Sequence, residues 1–307
     1  MYRLLFILSL SLWNLSACAF SPKVEKVTEQ VYAIVGELDQ RSPENQGLNN
    51  TSGFIITDEG VVLVGSGATE GSAKLLEAAV KSVTDKPIRH VINIGVQDHH
   101  WMGNAYFIQQ NIPILALART VESQHQQEAN NRQRLAAALK IKPDSLKVAY
   151  ATQSFPEDTH AFNVGKTKLE LRYLGDGHFP GDALLWLPDE KILFTGDLVF
   201  NERMLGVLPD ISKVKAWQAT FKSMCELKPQ WVIAGHGKPS DLANAQKNTG
   251  DYLDWLVTEV SKAVDNLEDL SSTVDRLAQD KRFDYLALHE SLHRKNIHQT
   301  YLQLEQN

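Results

Sequence analysis

The chain has 307 residues, a net charge of −6 and 43% hydrophobic residues, which is the composition of a soluble globular protein. Its basic residues form no long block, so neither nucleic acid nor an acidic lipid surface is expected as a partner. Only Cys225 lies outside the first nineteen residues, which excludes a disulfide framework within the folded domain.

The first nineteen residues have the pattern of an export signal: one arginine, an apolar run from Leu4 to Leu12, and then small residues. The sequence "LSAC", ending at Cys18, resembles a bacterial lipoprotein processing box. It predicts lipidation of Cys18 and attachment to the periplasmic side of a membrane. Ordinary cleavage around Ala17-Cys18-Ala19, which would release the protein into the periplasm, is the alternative. We therefore expect a signal peptide at 1–19, a folded domain at 20–245 and a helical C-terminal extension at 246–307.

The following segments alternate between strand and helix patterns. The first half predicts strands at 31–36, 53–57 and 61–65, a helix at 72–83, a strand at 90–94, a loop and a helix from 103, a strand at 113–117 and a helix at 120–140. The second half predicts a strand at 168–174, a hairpin of 183–187 with 191–196, a helix at 214–227, a strand at 230–235 and helices from 240 onward. Two β-α halves in this order favour an α/β fold, an αββα sandwich of two mixed β-sheets with helices outside.

Four loops that follow predicted strands contain metal-binding side chains. Rigid strands can position such ligands accurately, so convergence of these loops would build a metal site. The donors are Asp98, His99 and His100 on the first loop, His178 on the second, Asp197 on the third and His236 on the fourth.

These loops carry motifs that resemble those of the metallo-β-lactamase-fold hydrolases over about residues 25–245. The motifs are "GHFPGD" at 177–182, "ILFTGDLVF" at 192–200 and "AGHGKP" at 234–239, following a "VIN…GN" segment. The resemblance implies the αββα fold and a one- or two-zinc site at the sheet edges. Members of this family hydrolyse lactams, thioesters, phosphoesters and related bonds.

The first family motif, T-H-x-H-x-D-H-x-G-G, is degenerate in this chain. Without gaps, Gly95 and Gln97 replace the His-x-His pair, and His99 and His100 replace the Asp-His pair. The first metal position would then keep only His178. The second metal position would keep four possible ligands, which are His99, His100, His236 and Asp197. In a shifted register, Asp98-His99 would form the Asp-His pair and His100 would support it. Gly65 also stands where the family usually has a supporting aspartate.

The surviving donors suit one zinc ion with a position left for water. The resemblance thus predicts a mononuclear metallohydrolase that cleaves an ester, thioester, amide or lactam bond of a small molecule. Asp98 or Asp197, whichever is not a ligand, would accept the proton from water. The alternative is a catalytically inactive binding or scaffold protein of the same fold in the cell envelope.

A second metal motif occurs near the C-terminus. "HESLH" matches H-E-x-x-H, in which His289 and His293 would bind zinc on one helix face and Glu290 would act as the base. The motif is short and Gln299 stands where a third histidine could follow, so we favour a solvated helical face. Leu288, Leu292, Tyr301 and Leu304 would point inward. Separately, the polar segment 41–53 is predicted to form a loop that touches substrate, and Trp101 either joins the core or lines a pocket mouth.

Overall fold

Two β-sheets lie face to face in the computed structural model, which describes residues 20–306. The predicted signal peptide and Cys18 lie outside the described residues. Within 20–306, none of the helices combines the length and the apolar character needed to cross a membrane.

The first sheet has seven strands, and their spatial order follows the chain. The strands are β1 (Lys23–Lys26), β2 (Val31–Val35), β3 (Thr51–Ile56), β4 (Val61–Val64), β5 (Ile88–Ile92), β6 (Ile114–Leu117) and β7 (Gln153–Phe155). The pairs from β1 to β4 are antiparallel and those from β4 to β7 are parallel, so the sheet is mixed.

The second sheet has five strands in the order β12-β11-β10-β9-β8. They are β8 (Thr159–Val164), β9 (Thr167–Arg172), β10 (Leu184–Leu187), β11 (Ile192–Phe200) and β12 (Trp231–His236). The predicted hairpin is present as the antiparallel pair of β10 and β11, whereas β11 and β12 are parallel. This sheet is therefore also mixed.

The space between the sheets is filled by apolar side chains from both. Ile55 and Val62 of the first sheet meet Leu185 and Phe194 of the second in one buried cluster. Successive side chains of a strand point to opposite faces, so Leu184, next to Leu185, packs in a different cluster on the outer side. Because both faces of this sheet are covered there, β10 and the first residues of β11 are apolar, whereas β9 alternates apolar and charged residues.

Helices cover the outer faces of both sheets. They are α1 (Glu70–Lys81), α2 (Asp98–Trp101), α3 (Asn104–Ile108), α4 (Ala118–Leu139), α5 (Val214–Cys225), α6 (Leu242–Ala245), α7 (Asp251–Asp265), α8 (Leu270–Leu277) and α9 (His289–Glu305). Leu76 of α1 and Phe107 of α3 pack on the first sheet, and Trp217 and Phe221 of α5 pack on the second. The predicted αββα sandwich with a helical C-terminal part is confirmed.

The C-terminal helices share the core of the second sheet. Tyr252 and Leu256 of α7 and Ile297 of α9 belong to the same cluster as Leu184 and Trp217. The predicted boundary after residue 245 lies within a helical segment, because a π-helical turn at Gln246–Gly250 joins α6 to α7.

The prediction that the "HESLH" segment forms a solvated helical face is wrong. His289 and His293 are buried and their rings stack with centroids 4.6 Å apart, while Tyr252 Oη lies 3.0 Å from His293 Nδ1. Tyr301 and Leu304 point inward as predicted, whereas Leu288 and Leu292 are only half-buried. A polar pattern predicts exposure to solvent, but the ring of His293 packs against Tyr252 and Trp255 of α7.

Candidate metal centre

The predicted donors come together at one edge of the two sheets. Asp98, His99 and His100 lie on α2, the short helix after β5, where a loop was expected. His178 lies between β9 and β10, Asp197 within β11 and His236 at the end of β12. All six side chains are buried.

Asp197 is the centre of this group. Its Oδ2 lies 3.1 Å from His99 Nε2 and 3.8 Å from His178 Nε2. Its Oδ1 lies 3.2 Å from His100 Nε2 and 3.4 Å from His236 Nε2. A Cβ at Gly235 of β12 would overlap Asp197 Oδ1, so this glycine permits the carboxylate to reach between the strands.

The geometry of three of these side chains fits one zinc ion. The ligand atoms of His99, Asp197 and His236 all lie within 4.8 Å of one another, and no other such group occurs among the described residues. Ligand atoms of a tetrahedral zinc site with bonds of about 2.0–2.1 Å lie about 3.3 Å apart. His99 Nε2 lies 3.1 Å from Asp197 Oδ2, and His236 Nε2 lies 3.4 Å from the other oxygen, Oδ1, so the carboxylate is within ligand reach of both rings. Asp197 Oδ1 is buried without a hydrogen bond to any described residue, as expected of an atom that binds an ion.

The degenerate first metal position holds hydrogen bonds in place of ligands. His178 Nε2 donates to Gln97 Oε1 over 2.8 Å. The imidazole of His100 lies against Gly95, where a Cβ would overlap the ring. The ungapped register fits these contacts, because Gln97 faces His178 and no side chain extends from Gly95. Burial lowers the pKa of His178 to about 4, so its ring is neutral near pH 7.

The charges of the site favour an ionised carboxylate beside neutral rings at His99 and His236. At His100, burial opposes protonation, but Asp197 outweighs it and raises the pKa of this ring above its usual value. Burial alone would raise the pKa of Asp197, but His99 and His100 outweigh it and hold that pKa well below its usual range. Burial also lowers the pKa of His99 and His236, and Arg203 adds to the effect at His236. Neutral imidazoles beside an ionised carboxylate are the protonation states that zinc binding requires.

Two groups compete for the outer nitrogen of His236. The carbonyl oxygen of Asn49 lies 2.9 Å from Nδ1, and Nη1 of Arg203 lies 2.7 Å from the same atom. The carbonyl can accept only from a protonated Nδ1, whereas Arg203 can donate only to an unprotonated one. A metal at Nε2 would fix the proton on Nδ1, so the bond to Asn49 would form and Arg203 would lose its acceptor.

The predicted general base Asp98 is held by an ion pair. Arg41 contacts Asp98 Oδ2, while Asp98 Oδ1 remains buried without a hydrogen bond to any described residue. Arg41 and Asn49 both belong to the segment 41–53, so the predicted substrate loop does lie over the site.

Asp182 connects the loop of the first motif to that of the second. Its Oδ1 accepts from Val96 N over 2.9 Å and its Oδ2 from Phe179 N over 2.8 Å. Burial raises the pKa of Asp182 to about 7 although both backbone donors oppose the rise. The segments that carry Gln97 and His178 are thereby fixed to each other.

The sequence did not identify the arginines of the site. A cavity of about 410 Å³ beside the metal group is lined by Arg41, Arg134 and Arg203 together with His99 and His178. Trp101 does not line it, since this side chain is fully buried and donates from Nε1 to Val96 O over 2.8 Å.

A family comparison agrees with this architecture. The profile of the metallo-beta-lactamase superfamily matches residues 46–236, which include every donor described above. The chain belongs to the metallo-beta-lactamase superfamily. The curated relatives include metallo-beta-lactamase type 2 of Pseudomonas aeruginosa, 34% identical over 86 residues, which cover 27% of this chain and 34% of that protein. Another, metallo-beta-lactamase type 2 of Bacteroides fragilis, is 30% identical over 95 residues, which cover 28% of this chain and 38% of that protein. The aligned part is therefore little more than a third of these relatives' length.

Solved structures with low sequence identity share the fold. A metallo-beta-lactamase from Pontibacter korlensis superposes with a TM-score of 0.60 at 20% identity, covering 76% of this chain and 99% of its own. A double mutant of the sec-alkyl sulfatase PisA1 gives a TM-score of 0.70 at 16% identity, covering 92% of this chain and 50% of its own.

Proposed function

We propose that this superfamily member is a zinc-dependent hydrolase with a single ion held by His99, Asp197 and His236. The observation that carries the proposal is the group of three buried ligand atoms within 4.8 Å of one another. The first metal position offers only His178, whose Nε2 is already bonded to Gln97, which supports one ion over two.

The chain's own groups have defined roles in this proposal. Bound zinc would polarise a carbonyl oxygen and lower the pKa of water toward neutrality. Asn49 orients His236 by accepting from Nδ1, and Arg41 holds Asp98 at the site with Oδ1 free to accept a proton. The bond to be cleaved is an ester, thioester, amide or lactam of a small molecule.

A second candidate function is a binding or scaffold protein without catalysis. The hydrogen bond between Gln97 and His178 and the close contact of His100 with Gly95 support it, because in the ungapped register they would occupy the place of the first metal position. This alternative predicts no stoichiometric metal and no effect of a chelator on the melting temperature.

Metal analysis separates the two candidates. Purified wild-type protein should contain close to one zinc per chain, and His236→Ala should contain less than about a tenth of that. His125→Ala, at an exposed histidine of α4, is the matched control and should keep the metal. His293→Ala should also keep it, since no third donor joins His289 and His293 among the described residues.

Turnover of chromogenic ester, thioester and lactam substrates should rise and fall with the zinc content of these variants. If the purified protein contains no zinc and its melting temperature does not change when a chelator is added, the proposal of a zinc-dependent hydrolase is contradicted.

We also propose that the protein is exported and anchored in the bacterial envelope through a lipid on Cys18. The support is the sequence "LSAC" after an apolar run. Metabolic labelling with a clickable fatty acid should mark the wild-type protein in the membrane fraction. The Cys18→Ser variant should be unlabelled, and labelling that persists in it would contradict the proposal.

A further inference from the structure

Helix α4 buries polar side chains where an amphipathic helix usually buries apolar ones. Thr120, Gln124 and Asn131 are each no more than 1% exposed. They are four and seven residues apart along the chain, so they lie on one face of the helix. Because buried polar groups in native proteins are hydrogen-bonded, each of these side chains should have a specific partner inside the protein.

Two of the partners are backbone oxygens at the start of the metal-binding segment. Gln124 Nε2 donates to Gly95 O over 2.9 Å, and Asn131 Nδ2 donates to Val96 O over 2.8 Å. Both of these carbonyl groups lie between β5 and α2, the short helix that carries His99. Helix α4 therefore fixes the backbone directly before this proposed ligand.

The third partner belongs to the loop of the second motif. Thr120 Oγ1 donates to Gly181 O over 2.7 Å, and Gly181 lies shortly before β10 of the second sheet. A Cβ at Gly181 would lie 2.6 Å from Ser123 Oγ, so α4 packs directly on this loop. One face of α4 thus holds a loop of the first sheet and a loop of the second sheet at the same time.

The proposed zinc ligands also come from both sheets. His99 follows β5 of the first sheet, whereas Asp197 and His236 lie on β11 and β12 of the second. The 3.1 Å between His99 Nε2 and Asp197 Oδ2 therefore depends on how the two sheet edges are held together. Zinc–ligand bonds vary by only about 0.2 Å, so a small displacement of α2 would weaken the site.

The amide of Gln124 indicates that these contacts do more than stabilise the fold. Its Nε2 satisfies the carbonyl oxygen of Gly95, but its own Oε1 is buried without a hydrogen bond to any described residue. The contact satisfies one buried oxygen and leaves another unsatisfied, so its net gain in stability is small. What the contact does provide is a fixed position for the backbone at Gly95.

We propose that Thr120, Gln124 and Asn131 are positioning residues of the metal centre, which hold the backbone at residues 95, 96 and 181 and thereby set the distance from His99 to the ligands of the second sheet. None of the three is among the described residues that line the cavity, so they act through the backbone. This inference rests on the proposed function, since it concerns the affinity of the same site for zinc.

Competitive zinc titration of the full chain tests the inference. Gln124→Met keeps the length of the side chain but removes the donor, and it should weaken zinc binding about tenfold or more. Asn131→Leu should weaken it about threefold or more, a smaller effect because Val96 O keeps its hydrogen bond from Trp101. The urea midpoint of the zinc-free Gln124→Met protein should stay close to that of the wild type, since one unsatisfied oxygen replaces another.

Matched variants separate positioning from a general loss of structure. Gln126→Met and Asn130→Leu place the same substitutions at exposed positions of α4 and should bind zinc as the wild type does. Thr120→Val removes the hydroxyl donor at nearly constant shape and should weaken binding, whereas Thr120→Ser keeps the donor and should restore it. With cobalt in place of zinc, the visible absorption bands report the ligand geometry. They should shift in Gln124→Met and stay unchanged in Gln126→Met.

Equal zinc affinity of the wild type, Gln124→Met and Asn131→Leu would overturn the inference and leave the proposed function intact. Binding as weak in Thr120→Ser as in Thr120→Val would also overturn it, because the hydroxyl donor would then not matter. If Gln124→Met and Asn131→Leu fail to fold, the comparison of the two Thr120 variants decides. A wild-type protein that binds neither zinc nor cobalt would refute the proposed function, and this inference with it.

Discussion

At the scale of single residues, Gly95 shows how the degenerate motif was accommodated. The space where a side chain would project from this position is filled by the buried ring of His100. Restoring a ligand at Gly95 would therefore displace His100, which contacts Asp197. The absence of a side chain at Gly95 and the position of the His100 ring belong to one packing arrangement.

We expect Gly95→Ala to lower the free energy of unfolding by about 1–3 kcal/mol, because overpacking of a closed interior has this cost. Zinc affinity should fall with it, since His100 is next to His99. Urea unfolding and competitive zinc titration measure the two effects. Gly206→Ala is the control: no atom lies within 4 Å of a Cβ there, so its stability should change by less than about 0.5 kcal/mol. Equal stability of the two variants would contradict the packing argument.

His293 gives a prediction about pH. Burial lowers its pKa to about 4, below the 6.5 of an unfolded chain. Between pH 6.5 and 4 the unfolded state therefore binds more protons at this position, so the contribution of His293 to stability is complete above pH 6.5 and is lost as the pH falls.

His293→Gln should reduce the loss of stability between pH 7 and pH 5, because the glutamine oxygen still accepts from Tyr252 but does not titrate in this range. Urea unfolding of both proteins at the two pH values measures the difference. A variant with the same pH dependence as the wild type would show that this ring is not kept neutral by burial.

The limits of sequence reading at this scale are physical. His178, Asp197 and His236 were predictable because each carries a metal donor in a motif at or after a predicted strand end. The structure extends the strands over two of them, so Asp197 lies within β11 and His236 is the last residue of β12. Arg134 and Arg203 were not, since an arginine in a sequence is usually on a solvated surface, and only the folded chain shows which ones line a cavity.

At the scale of elements, α9 holds one wall of the cavity. Asn296 of this helix accepts from Val207 N over 2.8 Å and donates to Leu205 O over 2.8 Å, and it is only 1% exposed. Arg203 and Met204 are therefore followed directly by residues 205–207, which these two hydrogen bonds fix to α9.

Asn296→Ala should cost at least about 2 kcal/mol of stability, because it leaves two buried backbone groups unsatisfied at about 1–3 kcal/mol each. We also expect KM to rise several-fold with a smaller change in kcat, since the cavity wall loosens while the metal group is untouched. Lys295→Ala, at the exposed neighbouring position, is the control. An Asn296→Ala protein with wild-type stability would show that other contacts hold this segment.

Helices and strands whose apolar residues recur at a regular spacing were predictable from the sequence, and the others were not. Four strands of the second sheet follow from alternating or continuous apolar runs, and α1 and α5 follow from helical spacing. The edge strand β8 was not predicted. By contrast, α2 has four residues, "DHHW", which show no apolar period, and it forms where Asn93 Nδ2 and Ser66 N both donate to His100 O. Tertiary contacts determine this helix, so the sequence alone could not place it.

At the scale of the whole molecule, the second sheet and the C-terminal helices form one core. Trp186 and Trp217 on one side and Trp255, Ile297 and Tyr301 on the other belong to the same buried cluster. Each large apolar side chain contributes about 1.5–3 kcal/mol when buried, whereas a whole domain is stable by only about 5–15 kcal/mol. Removing the helices after residue 245 would expose Trp186 and Trp217 to water, and losing the burial of a few such side chains is comparable to the whole stability of a domain.

It follows that the chain from residue 20 should unfold in a single calorimetric transition, and that a chain ending at Ala245 should aggregate or show no cooperative transition. A chain ending at Glu305 keeps all of α9 and is the control, so it should melt within a few degrees of the full protein. Zinc content should be lost with the longer truncation, because the wall next to Arg203 and His236 is released when Ala287 and Asn296 are removed. A soluble 20–245 fragment with its own sharp transition would show instead that the helices are an independent addition to the sandwich formed by the preceding residues.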